Sequence, residues 1–212
     1  YDLIEYLPAL FDDMGEGTDK FRYDYNNTIT NAFIESYDMQ IHNWCRENGI
    51  LYVGEKPILR SSQIQHMDIQ GMDAGHQKAG DETQLAHFNY RVNAKIAESG
   101  AFFYKKKKVL CECYHSIGWS MTIQDMKWII DWLAVQGVSM FVPHGFFYTT
   151  DALAKHDAPP SSFYQMPAWK HMGKLSEYMA DLLDTITKAS KEVDVLIMDP
   201  VTSTWTAMGS KR

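Results

Sequence analysis

From Val109 to Val142 the chain reads VLCECYHSIGWSMTIQDMKWIIDWLAVQGVSMFV. Val109 to Cys113 is a short apolar run broken by one acid, Glu112, too brief for a helix and therefore a strand. Thr122 stands three positions before Asp125, close to a capping box, and Ile123, Met126, Ile130 and Leu133 then recur at helical spacing until Gly137. Val138 to Val142 is a second apolar run, closed by Pro143-His144-Gly145. A strand, a helix and a strand joined this closely are expected to pair in parallel, through a right-handed crossover.

The same alternation continues on both sides. Upstream, the spacing of Leu85, Phe88, Val92 and Ile96 predicts a helix from Asp81 to Ser99, with Gly100 as its stop. Before it lies a long polar segment, 56 to 81, and before that a short strand, Ile50 to Val53, ending in Gly54-Glu55. Ile29, Phe33, Tyr37, Ile41 and Trp44 predict a helix over 27 to 48. Downstream, a loop from 146 to 167 leads to a helix over 168 to 190, built on Met172, Leu175, Met179, Leu182 and Ile186, and then to a strand, Val193 to Met198. This α/β order fits a piece of a (β/α)8 barrel or an open doubly wound sheet. No GxGxxG or GxxxxGK[ST] follows a strand, which removes the usual nucleotide-binding form of the open sheet. Glu55, Glu112, His115 and His144 gather at the strands' C-terminal ends, where barrels keep their ligands. The expected fold is therefore a partial (β/α)8 TIM-type barrel. Residues 1–190 are read as its C-terminal part and 191–212 as the last strand or the start of a following domain. The chain starts without an initiator Met, inside an apolar segment. We expect a piece of a longer parent chain, unless Tyr1 follows a removed signal or tag.

Composition excludes several function classes. The 212 residues are 45% apolar and 22% charged, as in a globular chain. Against 27 Asp+Glu there are only 20 Lys+Arg, a net charge of -7, which argues against nucleic acid and against anionic membrane surfaces as partners. The four lysines Lys105 to Lys108 read as a solvated strand entry. No apolar stretch approaches the roughly 18 to 20 residues that span a bilayer. Three cysteines do not make a disulfide framework, and the compartment stays open.

Glu112 is the sharpest chemical candidate, because an acid in a strand covered by helices costs free energy unless it has a use or a cationic partner. Glu55 poses the same question at its own strand end, where Lys56 follows and the alternative is a solvated loop. Asp81 and Glu82 either cap a helix or, with Asp68 and Asp73, supply oxygen ligands to a hard cation such as calcium. Cys111, Cys113 and His115 alternate along one strand, but zinc sites pair cysteines at wider spacing, so the cysteines read as small buried hydrophobes. His144 is either a substrate contact or a satisfied core histidine. Trp119, Tyr148, Tyr164, Trp169 and Trp205 either stack on sugar faces or pack ordinarily. No GxSxG, HExxH or CxxC supports a serine hydrolase, zincin or dithiol oxidoreductase; carboxylates at strand ends, aromatic loops and an acidic surface point instead to glycoside hydrolysis, which needs an acid on each side of the scissile bond.

VLCECYHSIGW (109–119) followed by MKWIIDWLAVQGVSMFVPHGFFY (126–148) resembles the barrel of large bacterial glycoside hydrolases of the alpha-L-rhamnosidase type. YDLIEYLPALF, RYDYNNT, WCRENGI, GDETQ and AKIAESGAFFY fall in the order expected of that family. The resemblance implies that Glu112 is a catalytic acid/base group, that Glu82 is an active-site acid able to associate with calcium, and that His144 is the strand-end histidine of the site. The expectation is a glycosidase for carbohydrate substrates, alpha-L-rhamnosides in particular. Glu112 would be general base or nucleophile, its partner acid Glu55, Glu82 or a residue outside the chain, and the sugar contacts His144, His115, Trp119, Tyr148 and Trp169. The residues themselves require no cofactor. The other reading is a non-catalytic carbohydrate-binding or structural module.

Overall fold

The computed structural model describes residues 2–55, 64–73, 88–198 and 200–207. The chain divides into two compact units, Tyr1–Trp44 with Glu192–Arg212, and Cys45–Lys191.

In chain order the principal elements are helix α1 (Thr18–Phe33), a π turn (Ile34–Asp38), α2 (Met39–Glu47), β1 (Val53–Glu55), β2 (Ile69–Asp73), α3 (Phe88–Phe103), β3 (Val109–Cys113), α4 (Ile123–Ala134), β4 (Met140–Pro143) and α5 (Met172–Thr187). In the first unit α1 begins nine residues before the predicted 27, and its packed side differs from the apolar stripe. Phe21, Arg22, Thr30, Ile34 and Asp38 are buried, whereas Ile29, Phe33, Tyr37 and Trp44 are exposed. More than half of that packed side is polar, so apolar periodicity does not mark it, and the π turn then shifts the helical register by a residue. Arg22 fastens the unit: Nε donates to the Ala9 carbonyl (2.6 Å), Nη2 to that of Asp12 (3.0 Å) and Nη1 to that of Thr206 (3.0 Å). The strand expected at Val193 to Met198 does not form. Its residues take no regular structure and are exposed, without strand pairing, because an apolar run becomes a strand only where its backbone groups find a ladder partner.

In the second unit the four strands make one sheet in the order β1-β2-β3-β4, every pair parallel. Strands alternate with α3, α4 and α5, the expected α/β pattern of a partial TIM-type barrel. β2 lies in the segment read from sequence as a loop. Gln70 and Gly71 conceal it: Gln70 is wholly buried, its Nε2 donating to the carbonyls of Ile64 (2.9 Å) and Met67 (3.3 Å). Gly71 lies so close to β1 that a Cβ would stand 2.3 Å from the Gly54 carbonyl oxygen. β1 starts at Val53 rather than Ile50, since Asp68 occupies the Tyr52 backbone, accepting from its N–H and donating to its carbonyl (2.8 Å each).

The core packs Met72, Val109, Cys111 and Cys113 of the sheet against Ala94, Ala97 and Ala101 of α3 and Met126, Ile129, Ile130 and Leu133 of α4. Gly100 does not stop α3; it makes room for Ile64, whose Cγ2 would lie 2.5 Å from a Cβ there. The predicted start of that helix, from Asp81, lies outside the described residues. Both capping-box bonds at α4 are present, Asp125 N–H to Thr122 Oγ1 (3.2 Å) and Thr122 N–H to Asp125 Oδ2 (2.8 Å). Thr122→Ala is therefore expected to lower the unfolding free energy by about 1 kcal/mol, and an unchanged denaturant midpoint would refute the cap's contribution. Gly137 follows α4 with φ +104°, and a Cβ there would meet Glu98 Cγ at 2.3 Å. Glu98 is in turn paired with Lys191. Among the described residues no helix is long and apolar enough to cross a membrane.

Candidate active site

Strand alternation turns Met72, Cys111 and Cys113 toward the helices and Glu55, Asp73 and Glu112 to the opposite face of the sheet. In register, Asp73 lies beside Glu112, Glu112 beside Val142, and Glu55 beside Gly71. All three acids thus share the C-terminal end of one sheet face. Gly71 presents no side chain between them, so the Glu55 and Glu112 carboxyls interact across β2.

Two carboxyl groups in contact cannot both carry charge cheaply. Burial, then the hydrogen bond and charge of Glu112, then the charge of Asp73 push Glu55 up to about 8, while His115 pulls the other way. Glu55, although exposed at the end of β1, thus holds its proton to higher pH than an ordinary carboxylate. His115 is shifted up as well, chiefly by its hydrogen bond to Asp73, against its own burial and with help from the charges of Asp73, Glu112 and Glu55. Its Nε2 donates to Asp73 Oδ1, and its Nδ1 lies 3.3 Å from Ser116 Oγ.

His144 follows β4, its N–H donating to the Cys113 carbonyl (2.8 Å). Ser162 holds this corner from below, its Oγ donating to the His144 carbonyl (3.3 Å) and its N–H to that of Gly145 (2.9 Å). The His144 ring meets His115 at 5.9 Å and Phe147 at 6.1 Å, both edge-on. Its Nδ1 is buried and has no hydrogen-bond partner among the described residues. Beyond it the loop carries an aromatic cluster in which Phe163 stacks on Phe146 (4.9 Å) and meets the edge of Trp169 (5.0 Å).

The structure thus brings Glu55, Glu112, His115 and His144 to one strand-end region. Trp119 sits near it, against Phe147 at 6.3 Å with its indole N–H donating to the Lys155 carbonyl (2.8 Å). Trp169 belongs to the aromatic cluster, and Tyr148 is 95% exposed on the same loop. Trp205 packs instead on Tyr23 in the other unit (5.9 Å). Glu82, and with it the implied calcium contact, lies outside the described residues. Of the other acids named for a cation, Asp68 is used by Tyr52 and Asp73 by His115. Among the described residues no group of three His, Cys, Asp or Glu is placed to hold a metal ion. Cys111 and Cys113 are core residues, burial pushing the Cys113 thiol up. The sequence offers Asp73 only as a loop acid for a cation, because the run 69–73 is too polar to read as the strand that sets it beside Glu112.

No protein-family model matches the chain. Over 222 aligned residues it is 23% identical to a protein of Formosa agariphila named "Putative beta-glucuronidase", covering 98% of this chain and 18% of that protein. Among solved structures, a rhamnosidase from Novosphingobium sp. PP1Y aligns with a TM-score of 0.70 and 22% identity, over 89% of this chain and 19% of that one. The chain thus spans about a fifth of the length of each. At this identity the likeness bears on the fold, and it agrees with the sheet: parallel strands alternating with helices as in part of a (β/α)8 barrel.

Proposed function

We propose that the chain is part of a glycoside hydrolase that cleaves O-glycosidic bonds of neutral sugars, alpha-L-rhamnosides above all. Glu55 serves as general acid, and Glu112 as general base or, if configuration is retained, as nucleophile. The gathering of Glu55, Asp73 and Glu112 at the C-terminal end of one sheet face carries this reading. Glu55 gives its proton to the glycosidic oxygen as the bond to the anomeric carbon breaks. Glu112 either takes a proton from the attacking water or itself bonds to that carbon. Retaining pairs stand about 5 to 5.5 Å apart and inverting pairs about 6.5 to 9.5 Å, so the two carboxyls have to part to one of these separations when a sugar enters between them. His144 Nδ1, buried without a partner, is satisfied when a sugar hydroxyl reaches it.

The names of the two similar proteins point to different charges on the sugar, neutral for a rhamnoside and anionic for a glucuronide. Glu55, Asp73 and Glu112 on one face disfavour a uronate carboxylate, which supports the neutral sugar. The full-length protein is expected to hydrolyse para-nitrophenyl alpha-L-rhamnopyranoside faster than para-nitrophenyl beta-D-glucuronide. The reverse order sinks the neutral-sugar reading, and binding without hydrolysis of either sinks the enzymatic one.

The same assay gives a pH dependence. Raised to about 8, Glu55 keeps its proton through neutrality and loses it above, so kcat/KM should fall as pH rises through that value. Activity already lost in the ordinary carboxylate range would contradict the assignment of Glu55 as acid.

A further inference from the structure

We propose that Asp73 and His115 form a positioning pair for the two glutamates, Asp73 anchoring the imidazole at the strand rim so that it faces Glu55 and Glu112. The inference rests on the reading of those glutamates as the reacting groups. Neither partner was assigned this part: His115 was expected to touch the sugar, and Asp73 was placed in a loop.

The geometry argues for the pair in three steps. Asp73 and Glu112 are cross-strand neighbours in β2 and β3 with side chains on one face, an arrangement of like charges that destabilises a sheet unless a cation joins it. His115 is that group, bonded through Nε2 to Asp73 and in contact through Nδ1 with Ser116. Both ring nitrogens are thus engaged by protein, which leaves the ring unsuited to reading a sugar hydroxyl and suited to being held. The backbone is bent to deliver it. Tyr114 and Ser116, on either side, have φ +79° and +58°, a region non-glycine residues seldom occupy and tolerate where the surroundings enforce it. Tyr114 is pinned in the core, its hydroxyl reaching the Met126 carbonyl at 3.4 Å.

Around the imidazole stand Glu55 from β1, Asp73 from β2, Glu112 from β3 and the His144 ring beyond β4. Asp73 and Glu112 strengthen the hold of Glu55 on its proton, and His115 weakens it. The bond to Asp73 and the surrounding acids favour the protonated imidazole, and in that form His115 keeps the Glu55 proton transferable rather than locked on the pair.

Two measurements on the full-length protein test this. The first follows carbethoxylation of His115 by diethyl pyrocarbonate against pH, read by peptide mass spectrometry. Its midpoint should lie above the ordinary imidazole value of about 6.5 in the native protein and fall toward it in Asp73→Asn. Equal midpoints overturn the pair. The second is the pH profile of kcat/KM on para-nitrophenyl alpha-L-rhamnopyranoside. His115→Gln removes the cation and leaves Asp73, so the alkaline limb should move up by roughly half a pH unit or more. Asp73→Asn should lower kcat with KM little changed, and Asp73→Glu should restore part of the loss. An unmoved limb in an active His115→Gln protein overturns the positioning role. If the native protein hydrolyses no glycoside, the glycosidase reading fails instead, and the modification midpoints still decide whether Asp73 holds His115.

Discussion

Glu112→Gln is expected to lower kcat of the full-length protein about a hundred- to ten-thousand-fold while KM changes little, the range that positioned acid/base groups supply. The amide keeps the shape of the side chain but can neither take a proton from water nor attack the anomeric carbon. Its second effect is on Glu55. The hydrogen bond and charge of Glu112 are among the causes that push Glu55 up to about 8, so any residual activity should fade at lower pH than in the native protein. The third effect is on stability. Glu55 has a folded value above the ordinary carboxylate value of 4.5, so between about 4.5 and 8 the folded state binds more protons than the unfolded, and stability falls as pH rises. Removing the Glu112 charge relieves part of that cost. The variant should therefore lose turnover without losing thermal stability, a combination that general unfolding does not produce. A kcat within tenfold of native, in a folded variant, would remove Glu112 from the chemistry.

The largest purely structural effect belongs to Arg22. Arg22 is 3% exposed, and its guanidinium donates to three carbonyls, those of Ala9, Asp12 and Thr206, which lie on segments before and far after α1. Arg22→Ala leaves three acceptors without their charged donor, and each such bond is worth about 1.5 to 3 kcal/mol. A loss on the order of 3 kcal/mol or more is expected, seen as a lower denaturation midpoint and faster protease cleavage within Tyr1–Trp44. Arg22→Lys should recover only part, because one ammonium cannot reach three acceptors set out for a planar fork. An unchanged midpoint in Arg22→Ala would refute the role.

These side chains also mark how far a linear reading goes. α4 was legible almost to the residue, since Thr122, Asp125 and the stripe from Ile123 to Leu133 all act within one element. β3 was legible for the same reason: five residues, one acid, apolar neighbours. β2 was not. A strand with a wholly buried Gln70 and a glycine at its centre follows no apolar alternation, and its polar side chain is tolerated because the Ile64 and Met67 carbonyls receive it. Val193 to Met198 failed in the opposite sense, apolar enough for a strand yet exposed and unpaired.

What the sequence alone determined is the alternating α/β order, the helix cap at Thr122, and the placement of Glu112, Glu55 and His144 at the C-terminal ends of strands. Each is a short-range property, set by side-chain period, capping residues and turn formers a few positions apart. Only the tertiary structure decided that Asp73 stands in the row beside Glu112, that Glu55 faces Glu112 across the bare backbone of Gly71, and that His115 is claimed by Asp73. Strand register and the pairing of charges depend on groups tens of residues apart, and the free energy of burying them is known only once their partners are in place.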